Sequence, residues 1–172
     1  MQKIAIDMDG VLSDTVLQFI AWEQKETGMI KRIEDIMGKP ELEVFPHSKK
    51  HLHTEGFFRT TKVIENSQSV VEELNKKYDV YIVSAATEFP KSLSEKQAWL
   101  NEFFPFITWQ QMVFCGSKDI IHADIMIDDH FKNLNSFSGE LSILFTQPHN
   151  AHAEPGRHKR VHNWNEIASL LL

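Results

Sequence analysis

Met1–Thr15 reads MQKIAIDMDGVLSDT, and its reading decides the fold. Lys3–Asp7 (KIAID) is a short apolar run without clean alternation, the pattern of a parallel strand covered on both faces. The run ends on two carboxylates, Asp7 and Asp9, with Met8 between them and Gly10 behind. Strand-like alternation sends Met8 to the side opposite the two acids, into the core. Gly10 lets the chain turn sharply after Asp9 and brings backbone N–H groups toward whatever the acids bind, unless it is a plain turn glycine.

Four more runs resemble the first: Asp79–Val83 (DVYIV), Met112–Cys115 (MVFC), Asp124–Asp128 (DIMID) and Leu141–Phe145 (LSILF). Helical patterns separate them. Ser67–Lys77 carries Val70, Val71 and Leu74 at helical spacing, with Asn66 or Ser67 as N-cap. Ser92–Phe104 carries Leu93, Trp99, Leu100 and Phe103 along one side, and Asn163–Leu172 reads as a closing helix. Strands alternating with helices predict an α/β fold, a doubly wound and mainly parallel Rossmann-like sheet. The segment 15–66 breaks the rhythm and holds no convincing strand. Thr15–Thr27 reads as a helix stopped by Gly28, and Lys31–Met37 as a shorter one. An insertion at the carboxyl end of a strand lies above the usual ligand crevice of such sheets. The expected division is therefore a core of residues 1–14 and 67–172 with a small helical cap, 15–66, inserted after the first strand.

The bulk numbers narrow the function classes. A chain of 172 residues buries about 70% of its unfolded surface and needs no disulfide. The single cysteine, Cys115, excludes a disulfide framework, points to a reducing, cytoplasmic setting, and reads as a small buried hydrophobe. The first strand leaves no room for a signal peptide, and no apolar stretch is long enough to span a bilayer. A formal net charge of −6 argues against a nucleic acid polymer or an anionic membrane as partner. A small anionic molecule stays open if local cations outweigh the global sign.

In a parallel sheet the strand ends collect along one edge, so Asp7 and the pair Asp128–Asp129 converge if their strands are neighbours. Such a cluster repels itself unless a hard divalent cation sits among the oxygens or some groups stay protonated. Mg²⁺ suits one or two carboxylates with water and phosphate completing its shell. Ser84-Ala85-Ala86-Thr87 follows the second strand with small residues, hydroxyls and free N–H groups, a chemistry for phosphate oxygens. Lys96 lies within the apolar arc of its helix; it either snorkels to water or meets an anion, and the carboxylate and phosphate cluster is the anion at hand.

DMDGVLSDT, the Ser84 strand end, the helical Lys96 and MIDDH resemble the four motifs of the haloacid dehalogenase-like phosphohydrolases. With DVYIVSAAT, EKQAWL, the run from Lys118 through ADIMIDD, and ILFTQPHN, the chain is most similar to the 5'(3')-deoxyribonucleotidases of that superfamily. The resemblance implies a Mg²⁺-dependent phosphatase on small phosphomonoesters, deoxynucleoside monophosphates first among them. It implies Asp7 as nucleophile and Asp9 as the acid and base, protonated when substrate binds, with neighbouring negative charge as the cause. Ser84 and Lys96 would hold phosphate oxygens. Mg²⁺ would rest on the Asp7 carboxylate, the Asp9 backbone carbonyl and Asp129, with Asp128 behind. Gly10, Ala85 and Lys118 fall at substrate-binding positions, Lys118 ranking as a substrate contact unless it is a surface loop lysine. Thr15 stands where the family often places an aromatic residue against the base. Phe45, Phe57 and Phe58 either replace that surface or simply fill the cap.

The nine histidines match no strong metal-ligand spacing and read as solvated loop residues, including His51, His53, His149, His152, His158 and His162. Arg157, Lys159 and Arg160 read as a solvated basic face. Two rival readings stay open: a sugar phosphate or other small ester as substrate, and a non-catalytic ligand-binding module on the same fold.

Overall fold

A computed structural model describes all 172 residues. Six strands form one parallel sheet: β1 (Lys3–Ile6), β4 (Asp79–Ser84), β5 (Met112–Phe114), β6 (Ile125–Asp128), β7 (Leu141–Phe145) and β8 (Lys159–Val161), in the order β5-β4-β1-β6-β7-β8. β1 is central, with β4 on one side and β6 on the other, which makes its carboxyl end the switch point where crossovers diverge. The register aligns Ile6 with both Ile82 and Ile127. The next residues along the three strands are therefore brought together at one rim.

Helices α5 (Ser67–Lys77), α6 (Pro90–Phe103), α7 (Phe131–Ser136) and α8 (Trp164–Leu171) cover the sheet. The main apolar cluster includes Ile4, Ile6, Met8, Val71, Leu74, Ile82, Trp99, Leu100, Ile127 and Trp164, and a smaller one holds Ala5, Val83, Met126, Leu134 and Leu144. Alternating β1 residues thus enter opposite faces, as a strand sandwiched between helices requires. The polar ends of the two buried indoles are satisfied. Trp99 donates to the Thr61 carbonyl at 2.9 Å and Trp164 to the Val11 carbonyl at 2.8 Å, the latter pinning the loop that follows the acid pair.

Between β1 and α5 lies the long excursion. It holds β2 (Ser13–Asp14), α1 (Thr15–Thr27), α2 (Ile33–Ile36), α3 (Glu41–Val44), α4 (Ser48–Leu52) and β3 (Lys62–Val63). Asp14 caps α1 by accepting from Leu17 N–H at 2.9 Å, and Gly28 ends it in a left-handed conformation. Val16, Phe19, Ile36, Val44, Phe45, Phe57 and Phe58 pack a cluster of their own. β2 and β3 pair as a short antiparallel ribbon at the base, two strands that sequence reading did not foresee because each is only two residues long.

Four sequence expectations need correction in whole or in part. β8 is a sixth sheet strand that was not expected, although Arg157 and Lys159 are exposed as a solvated basic face should be. Arg157 and Arg160 there turn their guanidiniums onto the chain: Arg157 onto the carbonyls of Leu134 and Phe137, Arg160 onto Asn150 and Ala153. The histidines are not uniformly solvated: His51 is buried against Glu23, and His158 lies buried between Ser142 and Asn135. Cys115 is only half-buried, at the open end of β5. Asn66 is the N-cap of α5 as expected, but it caps through a left-handed backbone (φ 64°) with no side-chain hydrogen bond.

Candidate active site

The rim at the ends of β1, β4 and β6 is the floor of a pocket of about 180 Å³ whose roof is the excursion. Asp7, Asp9, Ser84, Lys96, Lys118 and Asp129 line the floor; Thr15, Phe19, Leu52 and Phe58 descend from above, with Phe89 at the side. The backbone after β1 makes this possible. Leu12 and Ser13 both return N–H groups to the Met8 carbonyl at 2.9 Å, folding residues 8–13 into a tight turn. Gly10 takes a positive φ of 75° in that turn, and a Cβ there would collide with Oδ2 of Asp129. Gln147 clamps the turn from outside, donating to the Gly10 carbonyl at 2.5 Å.

Two buried lysines divide the acids between them. Lys96, only 1% exposed, donates to Oδ2 of Asp9 at 2.5 Å and to Oγ of Ser84 at 2.9 Å, with its ammonium 4.4 Å from the Phe58 ring centre. Lys118, 4% exposed, donates to Oδ1 of Asp7 and Oδ2 of Asp128, each at 2.6 Å. Lys96 thus reaches the acid cluster, as its place in an apolar arc suggested. Lys118 touches the nucleophile candidate itself, a contact that its ranking as a substrate-binding residue did not anticipate. Asp9 has the anionic neighbours that the sequence reading expected, Asp7 and Glu41, and the Lys96 cation besides.

Asp128 is fully engaged: besides Lys118 it accepts from His130 N–H at 2.9 Å and from the Asn133 amide at 3.0 Å. Asp129 differs. Its carbonyl is held by Asn150 at 2.8 Å and by His149 at 3.0 Å, but its buried Oδ1 accepts from no group. Burial raises Asp7 to about 7; Lys118 opposes that only in part, and the Asp128 and Asp9 charges add to it. Asp129 is pushed well above the carboxylate range by burial and then by Asp7, Asp128 and Glu41. Burial works against the Lys118 ammonium, yet Asp7 and Asp128 outweigh it and raise its pKa.

These residues fit a hard divalent cation. Carboxylate oxygens of Asp7, Asp128 and Asp129 lie within 4.8 Å of one another, and the unpartnered Oδ1 of Asp129 is a free hard donor among them. Asp7 and Asp129 are the donors with capacity to spare, and Asp128, saturated by protein donors, stands behind them.

Some pocket residues were not singled out from sequence. Glu41, at the start of α3, faces Nδ1 of His149 at 3.9 Å, and burial raises its pKa. His130 stacks on His149 with ring centres 4.4 Å apart; burial and then His149 lower its pKa to about 4. Phe19 and Phe89 supply apolar wall, while Phe45 and Phe57 are buried within the excursion and Phe58 alone of that trio lines the pocket. Asn133 had a local signal, in the first turn of α7 and five residues beyond Asp128. His130 directly follows Asp129 in the same stretch; Glu41, Phe19 and Phe89 come from separate elements and had no local signal.

A central parallel strand ending in an acid pair, faced across the switch point by a second acid pair and roofed by an insertion, is the architecture of the haloacid dehalogenase-like hydrolases. The fold is similar to that of a hydrolase of this class from Streptococcus pneumoniae, with a TM-score of 0.63 at 15% identity, covering 100% of this chain and 99% of that one. It is also similar to a Bacillus subtilis hydrolase of this class solved bound to magnesium, with a TM-score of 0.62 at 12% identity, covering 99% and 98%. The chain belongs to the family described as "5' nucleotidase, deoxy (Pyrimidine), cytosolic type C protein", whose model matches residues 1–172. A curated relative from Bacillus subtilis (strain 168), named 5'(3')-deoxyribonucleotidase, is 45% identical over 172 residues, 98% of each chain. The protein is an enzyme, a phosphoric monoester hydrolase. No helix is long and apolar enough to cross a membrane.

Proposed function

We propose that this enzyme hydrolyses deoxynucleoside monophosphates to nucleoside and phosphate, through a phosphoryl group carried transiently on Asp7 and with Mg²⁺ held by Asp7, Asp129 and the Asp9 backbone carbonyl. The observation that carries the reading is the meeting of Asp7, Asp129 and Lys118 on the floor of a pocket whose upper wall is aromatic. The family membership and the name of the Bacillus subtilis relative support the substrate class. The magnesium of the Bacillus subtilis neighbour supports the metal.

The steps follow from the side chains. Lys118 holds Oδ1 of Asp7, which fixes the carboxylate and leaves Oδ2 to attack phosphorus in line. A phosphate oxygen entering beside Ser84 takes the Lys96 ammonium in place of Asp9. Released from the ammonium and set beside the phosphate charge, the Asp9 carboxylate takes up a proton from solvent, gives that proton to the leaving ester oxygen, and afterwards takes one from the water that cleaves the aspartyl-phosphate. When bound, Mg²⁺ offsets the repulsion between the anionic nucleophile and the dianionic ester. Ser84 and Lys96 hold the phosphoryl oxygens as charge shifts among them. Ala85 leaves room for the phosphate, Gly10 leaves room for the Asp129 carboxylate beside it, and Thr15, with Phe19, Phe58 and Phe89, faces the part of the substrate beyond. The excursion between β2 and β3 acts in this reading as the cap that selects the substrate.

A panel of deoxynucleoside, nucleoside and sugar monophosphates, assayed with Mg²⁺ and with a chelator, tests the reading. Turnover of deoxynucleotides that stops on chelation is expected. Sugar phosphates turning over far better than every deoxynucleotide would overturn the substrate class, and full activity in chelator would overturn the metal.

A further inference from the structure

We propose that Glu95, which touches neither the catalytic acids nor the phosphate position, is a positioning residue that sets Phe58 over Lys96 and so shapes the pocket. Glu95 stands on α6, immediately before Lys96. Its carboxylate accepts three backbone N–H groups from the far end of the excursion: Gly56 at 2.5 Å, Phe58 at 3.1 Å and Arg59 at 3.0 Å. A single carboxylate taking three N–H donors from a non-repetitive segment fixes that segment's backbone, since charge-assisted bonds are the strong ones. The grip continues along the helix. Trp99, four residues on, donates to the Thr61 carbonyl, and Glu102, a further turn on, pairs with the Arg59 guanidinium. Residues at i, i+4 and i+7 share one helical face, so α6 presents a strip that holds residues 56–61.

The position of Phe58 follows from that grip. Its N–H is one of the three bonds, its ring lies 4.4 Å from the Lys96 ammonium, and it lines the pocket. Consecutive residues of α6 therefore act in two directions: Lys96 reaches down to Asp9 and Ser84, and Glu95 holds the aromatic wall that covers it. Loss of the Glu95 carboxylate frees three N–H groups and lets the Phe58 ring drift from the ammonium, and a displacement of about 1 Å in a positioning group costs about a hundredfold in rate.

This inference rests on the proposed reaction. A double-mutant cycle with Glu95→Ala and Phe58→Ala tests it by kcat/KM per folded molecule on a deoxynucleoside monophosphate, with Glu95→Gln as the conservative variant. Glu95→Ala is expected to lose about tenfold or more in kcat/KM. Glu95→Gln, which keeps one accepting oxygen, should recover part of the loss. The double mutant should match Phe58→Ala, because removing the ring leaves Glu95 nothing to position. Additive losses, or a Glu95→Ala enzyme that loses thermal stability but keeps its kcat/KM, would overturn the proposal. If Glu95→Ala does not fold, the cycle is run with Glu95→Gln. If the wild-type enzyme hydrolyses p-nitrophenyl phosphate but no deoxynucleotide, the substrate reading has failed by itself and the cycle is decided on p-nitrophenyl phosphate.

Discussion

The ammonium of Lys118 lies 2.6 Å from Oδ1 of Asp7 across a separation of 111 residues, and both groups are buried. It is also the ion that joins the two acid pairs, because its second partner is Asp128. Lys118→Met keeps the length of the side chain and removes the charge. Turnover should fall by about a hundredfold or more, in line with removing one preorganised electrostatic partner from a dry site. Stability should fall too, since stripping one partner from a buried ion pair costs about 3–5 kcal/mol. Thermal unfolding of both proteins at pH 8 and pH 5 checks the origin of the loss. It should shrink at pH 5, where Asp7, raised to about 7, carries its proton in either protein.

Asp7→Asn should abolish turnover and, in chelator, raise the melting temperature at pH 8. The sign follows from the raised pKa. A carboxyl that titrates near 7 when folded and near 4 when unfolded favours folding fully only below the lower value, and that advantage disappears as pH rises through 7. The amide carries no charge to bury at any pH. The mutant's advantage in chelator should therefore appear at pH 8 and vanish near pH 4. Wild-type turnover in this mutant would remove Asp7 from its assigned role.

Mg²⁺ binding should strengthen with pH. The ion takes ionised carboxylates, and burial holds Asp7 near 7 and Asp129 above the usual range, so below neutrality binding must displace protons. Affinity should fall by up to about tenfold per pH unit per displaced proton. Calorimetric titration at pH 6 and pH 8 in two buffers of different ionisation enthalpy measures both the affinity and the protons released. Equal affinities at the two values would argue against Asp7 and Asp129 as ligands.

Gly10→Ala should weaken metal binding more than it weakens the fold. The added methyl would meet Oδ2 of Asp129, and the backbone sits at a φ of 75° that disfavours any side chain. Strain of about 1–3 kcal/mol is expected in unfolding. Mg²⁺ affinity, read by titration on the folded fraction, should drop beyond what that strain explains, because Asp129 must move.

The acid pairs were legible because each ends a strand, and a parallel sheet gathers strand ends whatever lies between them. Lys96 was legible through periodicity: a lysine in an apolar helical arc is out of place unless an anion waits for it. Lys118 sits in irregular backbone after Gly116 and Ser117, where no periodicity reports burial, so its contact with Asp7 emerged only in three dimensions. β8 was hidden by its composition. Its residues are basic and only Val161 is fully buried, as an edge strand allows, while Arg160 finds carbonyl partners from elsewhere in the chain. The burial of His51, in α4, depends on Glu23, in α1, and no spacing rule links them.

The ribbon of Ser13–Asp14 against Lys62–Val63 has a consequence for descent. It makes the excursion enter and leave through one doorway, beside the turn that carries Asp9. The six strands of the sheet lie wholly outside those doorposts: β1 ends before them and the other five begin after them. On the proposed reading, the wall that meets the substrate can vary between the doorposts while Asp7, Asp9 and Lys118, all outside them, keep their places.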